Sequence, residues 1–136
     1  MNIQLEKDAF MPARAHPEDA GLDLHSPVDT IVPAGGSAVI DTGVHVELPA
    51  STAGLLVSKS GLYIKHGLSS TGLIDAGYTG SIVVKLYNHS GVDYYVSRGD
   101  KVSQIVIIPV LLPELCEVPE LSSTARGSGG FGSTGK

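Results

Sequence analysis

The chain has no tryptophan and a single cysteine, Cys116, and both absences limit what it can be. One cysteine excludes a disulfide within the chain, which fits a reduced, cytoplasmic setting. Because no motif surrounds Cys116, we expect it to be a buried packing residue rather than a nucleophile. Aromatic residues make up only 5% of the 136 residues. The core of what we expect to be one domain must therefore be built from valine, isoleucine and leucine.

Long apolar stretches and a basic charge balance are also lacking. No apolar run is long enough to cross a bilayer, and residues 1–10 alternate charged and apolar side chains, unlike a signal peptide. The formal charge of −5 argues against broad electrostatic binding of nucleic acid. The five histidines show no metal-ligand spacing. The sequence therefore predicts neither a membrane partner nor a nucleic-acid partner, and no histidine-based metal centre.

Glycine and proline are abundant, with 17 and 8 residues, which indicates many turns and few long helices. Short runs with apolar residues at period two predict strands. One short helix is predicted at 62–67, opened by a serine and closed by a glycine, and turns are predicted at 31–36, 88–91 and 98–101. Many short strands separated by turns are typical of an all-β sandwich, jelly roll or barrel. The predicted strands are 2–5, 20–26, 38–40, 44–48, 54–57, 81–87, 92–96 and 102–109.

A glycine-rich hairpin at 71–80 carries one acid, Asp75, and one aromatic residue, Tyr78, and leads directly into a predicted strand. An acid held on such a support can position or deprotonate a water molecule. The alternative is an ordinary hairpin in which the Asp75 side chain satisfies its own turn. The ten residues by themselves leave both interpretations open.

Two further polar residues interrupt apolar segments. Asp23 stands inside a short alternating run, where it is either functional or an edge or bulge residue that faces water. Gln104 interrupts the nearly continuous apolar run of 102–109, which is typical of a strand buried on both faces. Since a buried amide must find hydrogen-bond partners, Gln104 either ties loops together or faces a polar ligand.

The composition changes at Ser122, after which almost no apolar residues remain. Such a segment is typical of a disordered terminus. However, Arg126 can contact a phosphate through its forked guanidinium group, and the glycine-rich backbone with Ser133 and Thr134 offers donors to phosphate oxygens. Phe131 can stack on a base. We therefore expect a β domain at 1–121 and a flexible glycine-rich arm at 122–136.

Taken together, five stretches resemble, in order, the signature segments of the homotrimeric dUTPase family. The resemblance implies a distorted jelly-roll (β-clip) domain with one short helix that assembles into a homotrimer with shared active sites. It also implies Mg²⁺-dependent hydrolysis of dUTP to dUMP and pyrophosphate, which limits uracil incorporation into DNA and supplies dUMP for thymidylate synthesis. The stretches are AGLDLHS (20–26), SKSGLYIKHGL (58–68), GLIDAGYTG (72–80), RGDKVSQIVI (98–107) and RGSGGFGSTG (126–135).

The resemblance also implies roles for individual residues. Asp75 matches the acid that activates the water attacking the α-phosphorus, and Tyr78 matches the aromatic residue beneath the deoxyribose. Asp23 matches an acid that contacts Mg²⁺ through a water molecule, while the substrate phosphates supply most of the direct ligands of the ion. The backbone that contacts uracil matches Gly72, Leu73 and Ile74; phosphate contacts match Lys59, Ser60, Gly61 and Gln104. The arm that closes over the γ-phosphate and base from another subunit matches Arg126, Gly130, Phe131, Gly132, Ser133 and Thr134.

Some positions depart from the family pattern. Lys59 stands where many members have arginine, which keeps the charge but loses the bidentate fork, and Gly77 stands where many have a second acid. These departures concern affinity and rate rather than reaction type. Two alternatives remain open: a dCTP deaminase, which shares this fold, and a regulatory protein that signals nucleotide occupancy. Release of pyrophosphate from dUTP, but not from dCTP, dTTP or UTP, distinguishes the three.

Overall fold

Short antiparallel strands account for almost all regular structure in the computed structural model, which describes residues 1–130. The predicted site residues Phe131, Gly132, Ser133 and Thr134 lie outside that range. Most strands lie within or close to a segment where alternation or a continuous apolar run predicts one. The exceptions are the short strands at 30–32 and 68–69, and the strand at 71–75, which lies in the segment predicted as a glycine-rich hairpin. The elements are β1 Asn2–Leu5, β2 Gly21–His25, β3 Thr30–Val32, β4 Ser37–Asp41, β5 Val44–Glu47, β6 Thr52–Val57, α1 Ser60–His66, β7 Leu68–Ser69, β8 Thr71–Asp75, β9 Val83–Asn88, β10 Tyr94–Val96 and β11 Lys101–Pro109.

Four sheets form in the described part of the chain, and every strand pair in them is antiparallel. The largest has the order β2-β11-β6-β8, so that β11 lies inside it and β8 forms one edge. A three-stranded sheet has the order β4-β9-β7, and two-stranded sheets pair β1 with β5 and β3 with β10. The all-β prediction with one short helix is confirmed.

The core consists of aliphatic side chains contributed by most of the strands. Alternation in β9 turns Val84 and Leu86 inward while Val83 and Lys85 face outward. Within the described range no aromatic residue belongs to the fully buried set, as the low aromatic content predicts. The largest fully buried hydrophobic side chains are Leu24, Ile40, Leu68, Ile82, Leu86 and Ile105.

The helix begins earlier than its sequence signals indicate. It begins at Ser60, two residues before the predicted start at 62, and its N-cap is Lys59, whose side chain makes no capping hydrogen bond. The glycine stop is confirmed: Gly67 has φ +67° and its N–H donates to the carbonyls of Leu62 and Tyr63. No helix among residues 1–130 is both long and apolar enough to span a membrane.

Two local predictions are wrong. The turn predicted at 31–36 begins later, because β10 provides a partner that puts Ile31 opposite Tyr95 in a strand pair. Cys116 is exposed rather than buried. The chain leaves the large sheet after Pro109, and the Val110 N–H donates to the Ser51 carbonyl, the last hydrogen bond to the rest of the domain that the structure describes up to residue 130. The proposed boundary between domain and arm at residues 121 and 122 stays a prediction.

Candidate active site

The hairpin turn holds Asp75 with its carboxylate free. Asp75 ends β8, and its backbone carbonyl accepts a 3.0 Å hydrogen bond from the Tyr78 N–H, which closes the turn. The Asp75 side chain is exposed and has no hydrogen-bond partner among residues 1–130. Backbone atoms therefore satisfy this turn, and the alternative in which the Asp75 side chain does so is wrong. A free, solvated carboxylate at a fixed backbone position can accept a proton from a bound water.

A cleft of about 210 Å³ opens beside this carboxylate. The Tyr78 hydroxyl on its wall donates a 3.0 Å hydrogen bond to the Ser81 carbonyl, which fixes the ring across the turn. The ring lies over Gly80, where an added Cβ would be 2.4 Å from the Tyr78 hydroxyl oxygen. Only glycine leaves room for the tyrosine here. The cleft is lined by Leu73, Ile74, Asp75, Tyr78, Ser81 and Val83.

The far end of the hairpin is anchored by the turn between β4 and β5. The Ser81 hydroxyl donates to the Asp41 carboxylate, which also accepts from the Gly43 N–H. The Ser81 hydrogen bond and then the Gly43 hydrogen bond lower the pKa of Asp41, so that it stays ionised. Thr42 is fully buried, and its hydroxyl donates to the Ile82 carbonyl at 2.7 Å. These anchors could not be predicted from the sequence, because about forty residues separate the partners and no local pattern links them.

A second polar cluster surrounds Asp23. Its side chain is only 5% exposed, Lys59 donates to Oδ1, and Lys101 donates to Oδ2 at 2.7 Å. Burial by itself disfavours the ionised carboxylate, but the hydrogen bonds and charges of Lys101 and Lys59 outweigh it and lower the pKa of Asp23. The interpretation of Asp23 as an edge residue that faces water is therefore wrong, although β2 is an edge strand. No local sequence pattern marks Lys101 as a partner of this acid.

The loop from β6 into α1 lies beside this cluster. The N–H groups of Ser60 and Gly61 lie in the first turn of the helix, where no intrahelical acceptor exists, and an added Cβ on Gly61 would meet open space. The Gln104 amide donates to the Ser58 carbonyl at 3.2 Å, so it ties β11 to this loop. Exposed N–H groups next to lysine form a surface suited to an anion.

Within one chain the hairpin and this second cluster are apart. In the pairing of β6 with neighbouring strands, Gln104 lies opposite Val57, whereas Asp75 lies opposite Ala53. Four residues of strand, or roughly 13 Å at 3.3 Å per residue, separate the two positions. The structure therefore brings together Asp23, Lys59 and Gln104 near one end of β6 and places Asp75, followed by Tyr78, at the other end. Gly72, Leu73 and Ile74 lie along β8 between these two ends.

The described part of the arm does not reach either cluster. Arg126 donates from Nε to the Gly129 carbonyl at 2.8 Å, and the Gly129 N–H returns a bond to the Arg126 carbonyl. No hydrogen bond in the described structure joins 111–130 to 1–110. Gly130 closes the described range. Any contact of Arg126 with a phosphate therefore requires the arm to take another position or to act on another molecule.

Comparison with known proteins identifies the family. The dUTPase family model matches residues 7–135. The "Deoxyuridine 5'-triphosphate nucleotidohydrolase" of Gloeothece citriformis is 46% identical over 135 residues, which covers 97% of this chain and 93% of that protein. The protein of the same name from Arabidopsis thaliana is 43% identical over 133 residues, which covers 97% of this chain and 80% of that protein.

Solved structures agree with these sequence matches. The dUTPase of Staphylococcus bacteriophage 80alpha, described with dUPNHPP, superposes with a TM-score of 0.91 at 33% identity and covers 99% of this chain and 98% of that one. A mutant dUTPase of phage phi11 of S. aureus has a TM-score of 0.81 at 33% identity over 88% of this chain and 98% of that one, and its description refers to a structural Mg(II) ion. With a family match over nearly the whole sequence and close structural agreement, this chain belongs to the dUTPase family.

Proposed function

We propose that this chain hydrolyses dUTP to dUMP and pyrophosphate, with Asp75 as the general base. The observation that carries the proposal is the Asp75 carboxylate, which is exposed on a backbone-closed turn with no competing hydrogen bond among residues 1–130. It accepts a proton from a water molecule as that water attacks the α-phosphorus, and pyrophosphate leaves on the opposite side. Removing dUTP in this way limits uracil incorporation into DNA and supplies dUMP.

Selection of the nucleoside rests on the free edge of β8. This strand pairs with β6 on one side and has no strand on the other side in the described sheet. The outward backbone groups of residues 72–74 are thus available to pair with the edge of uracil, as an added strand would. Cytosine would present mismatched donors and acceptors there. Tyr78 supports the deoxyribose, where a ribose hydroxyl would clash, and its ring is held by the bond to Ser81.

The separation of the two clusters supports a homotrimer with shared active sites. One substrate must contact both a water-activating carboxylate and phosphate-binding groups, yet Asp75 and Gln104 lie opposite positions of β6 that are roughly 13 Å apart. A site that takes its hairpin and its phosphate-binding loop from different subunits resolves this distance. Leu73, 61% exposed beside the hairpin, is suited to burial in such an interface. The arm at 122–136 then closes over the site of another subunit.

Magnesium fits this proposal as an ion that arrives with the substrate. Among residues 1–130 no group of three or more His, Cys, Asp or Glu side chains could hold a metal ion. Asp23 is the only buried charged residue in this range, and both of its oxygens are bonded to lysines. We propose that it reaches the ion through water, while the phosphates supply the other ligands. When bound, Mg²⁺ neutralises triphosphate charge.

Mixing two inactive variants tests both the chemistry and the shared site. Asp75→Asn and a deletion of 126–136 are each expected to lose nearly all release of pyrophosphate from dUTP. After the two proteins are unfolded, mixed and refolded together, sites that combine an intact hairpin with an intact arm from another subunit regain activity. The expected mixture recovers a substantial fraction of parent turnover. No recovery in mixed trimers of verified composition would refute the shared site.

The substrate panel tests the reaction itself. The parent is expected to release pyrophosphate from dUTP and not from dCTP, dTTP or UTP. Ammonia release from dCTP would instead identify a deaminase, and tight dUTP binding with no turnover would identify a nucleotide-sensing protein. A normal rate in Asp75→Asn would overturn the role of this acid whatever the assembly.

A further inference from the structure

His45 on β5 joins the glycine-rich hairpin at 71–80 to the loop after β1. Its Nδ1 lies 2.8 Å from the Thr79 carbonyl oxygen, and its Nε2 lies 3.1 Å from Oε1 of Glu6. A carbonyl only accepts hydrogen bonds, so Nδ1 carries the proton and donates to Thr79. The imidazole therefore holds Thr79, the residue that directly follows Tyr78, and we call the two contacts of His45, to Thr79 and to Glu6, the clamp.

No other side chain in the described structure bonds to Thr79. The remaining anchors of the hairpin hold its far end, where Asp41 bonds Ser81 and Thr42 bonds Ile82. Among residues 1–130, Tyr78 itself makes hydrogen bonds only through its backbone N–H and its hydroxyl. β5 also holds the end of this segment, since the Ile82 N–H donates to the Val44 carbonyl at 2.8 Å. Between Tyr78 and Ser81, the His45 side chain makes the only hydrogen bond from β5 in the described structure.

We propose that His45 is a positioning residue for Tyr78. By its hydrogen bond to the Thr79 carbonyl, His45 fixes where the Tyr78 ring lies in the cleft beside Asp75. This inference rests on the proposed function, in which that ring supports the deoxyribose. Without the clamp, the turn between Tyr78 and Gly80 can shift relative to β5, and the ring shifts with it. Because the ring contacts bound nucleotide before and during the reaction, losing the clamp weakens uniform binding and raises KM more than it lowers kcat.

The clamp is complete only when the imidazole is protonated. In the neutral ring, Nδ1–H still reaches Thr79, but the lone pair of Nε2 then faces the Glu6 carboxylate and that bond is lost. The Thr79 hydrogen bond, followed by the Glu6 hydrogen bond and the charges of Glu6 and Asp41, raises the pKa of His45. Glu47 lines a separate cleft beside His45 and Thr79, and its carboxylate accepts a hydrogen bond from the Asn2 amide.

The sign of the pH effect follows from this raised pKa. The contribution of the His45–Glu6 contact is complete below the ordinary histidine value of about 6.5 and is lost as pH rises through the higher folded value. KM for dUTP is therefore expected to rise across the neutral to mildly alkaline range.

Three variants separate the clamp from a passive contact. His45→Ala removes both bonds, and His45→Asn keeps a donor near the position of Nδ1 but cannot reach Glu6. Glu6→Gln removes the charge that favours the imidazolium. His16→Ala is the matched control, since His16 is exposed and lies in no site described above. KM and kcat for dUTP are measured from pH 5.5 to 9, and the Thr79 and Gly80 amide signals of the nucleotide-free protein are followed by ¹H–¹⁵N NMR.

His45→Ala is expected to raise KM about twofold to tenfold, the equivalent of one hydrogen bond, with a smaller change in kcat. His45→Asn restores most of this loss, and Glu6→Gln moves the midpoint of the amide titration to lower pH. An unchanged KM in His45→Ala, or Thr79 signals that do not titrate in the parent, overturns the inference. If His45→Ala does not fold, the KM, kcat and amide titration of Glu6→Gln test the inference instead. The NMR titration needs no substrate, so a parent that does not hydrolyse dUTP refutes the proposed function separately.

Discussion

Replacing Asp23 by asparagine isolates the contribution of the buried ion pair to stability. The substitution keeps the shape of the side chain but removes the charge that holds two ammonium groups. Losing one partner of a buried ion pair costs about 3–5 kcal/mol. Here Lys59 and Lys101 are 25% and 46% exposed, so their ammonium groups can turn into water. We therefore expect a loss of about 2–3 kcal/mol in the free energy of unfolding.

The pH dependence gives this prediction a second, independent readout. The folded pKa of Asp23 is lowered, so its stabilising contribution is present above the unfolded value of about 3.9 and is lost as pH falls through the lower folded value. The difference between parent and Asp23→Asn is therefore expected to be constant from pH 7 to 5. It should shrink below about pH 4.

Urea denaturation measures both the loss in the free energy of unfolding and its dependence on pH. The protein concentration is kept fixed because assembly couples to unfolding. Asp75→Asn is the matched control: the same substitution at an exposed acid without a side-chain partner should leave unfolding unchanged within about 0.5 kcal/mol. A loss in Asp23→Asn that is no larger than in this control would refute the ion-pair argument. A parent–variant difference that persists unchanged below pH 3 would refute its electrostatic origin.

The remaining predictions concern the hairpin and the arm. Gly80→Ala forces the Tyr78 ring out of place, because the new methyl group overlaps it, and should lower kcat/KM for dUTP with little change in melting temperature; an unchanged kcat/KM contradicts this. Thr42→Val removes the hydroxyl donor to the Ile82 carbonyl, which keeps its bond from the Thr42 N–H, and should cost about 0.5–1.5 kcal/mol in urea denaturation, so a neutral result refutes the anchor. Deleting 126–136 should leave the melting temperature unchanged while abolishing dUTP turnover, and a large drop in melting temperature would show that the arm stabilises the domain.

Local patterns predicted most strands because alternation and turn residues report directly on backbone conformation. The run at 102–109 indicated a buried strand, and β11 does lie inside the largest sheet. The strand at 30–32 was not predicted, because it is only three residues long and depends on β10 for its hydrogen bonds. Cys116 was misassigned because residue type predicts burial only where the surrounding chain packs, and 111–130 has no hydrogen bond to the domain.

The residues of the candidate site also divide into those that a local pattern predicts and those that only the fold brings together. Asp75 and Tyr78 could be singled out from ten consecutive residues, because glycines, an acid and an aromatic residue stand together in one hairpin. The partners of Asp23 could not be found in this way. Lys59 and Lys101 are 36 and 78 positions away in the sequence, and only the pairing of β2 with β11 and the course of the β6–α1 loop bring them to one carboxylate.

The sequence by itself determined the strand-rich class, the aliphatic core and the family of this protein, because composition, period and short motifs are local properties. Only the tertiary structure decided that the Asp75 carboxylate is free, that Asp23 is bonded to two lysines and that His45 holds the Tyr78 turn. Each of these depends on hydrogen bonds between residues far apart in the chain. Such contacts form only when the sheets fix distant segments side by side, and no local pattern encodes them.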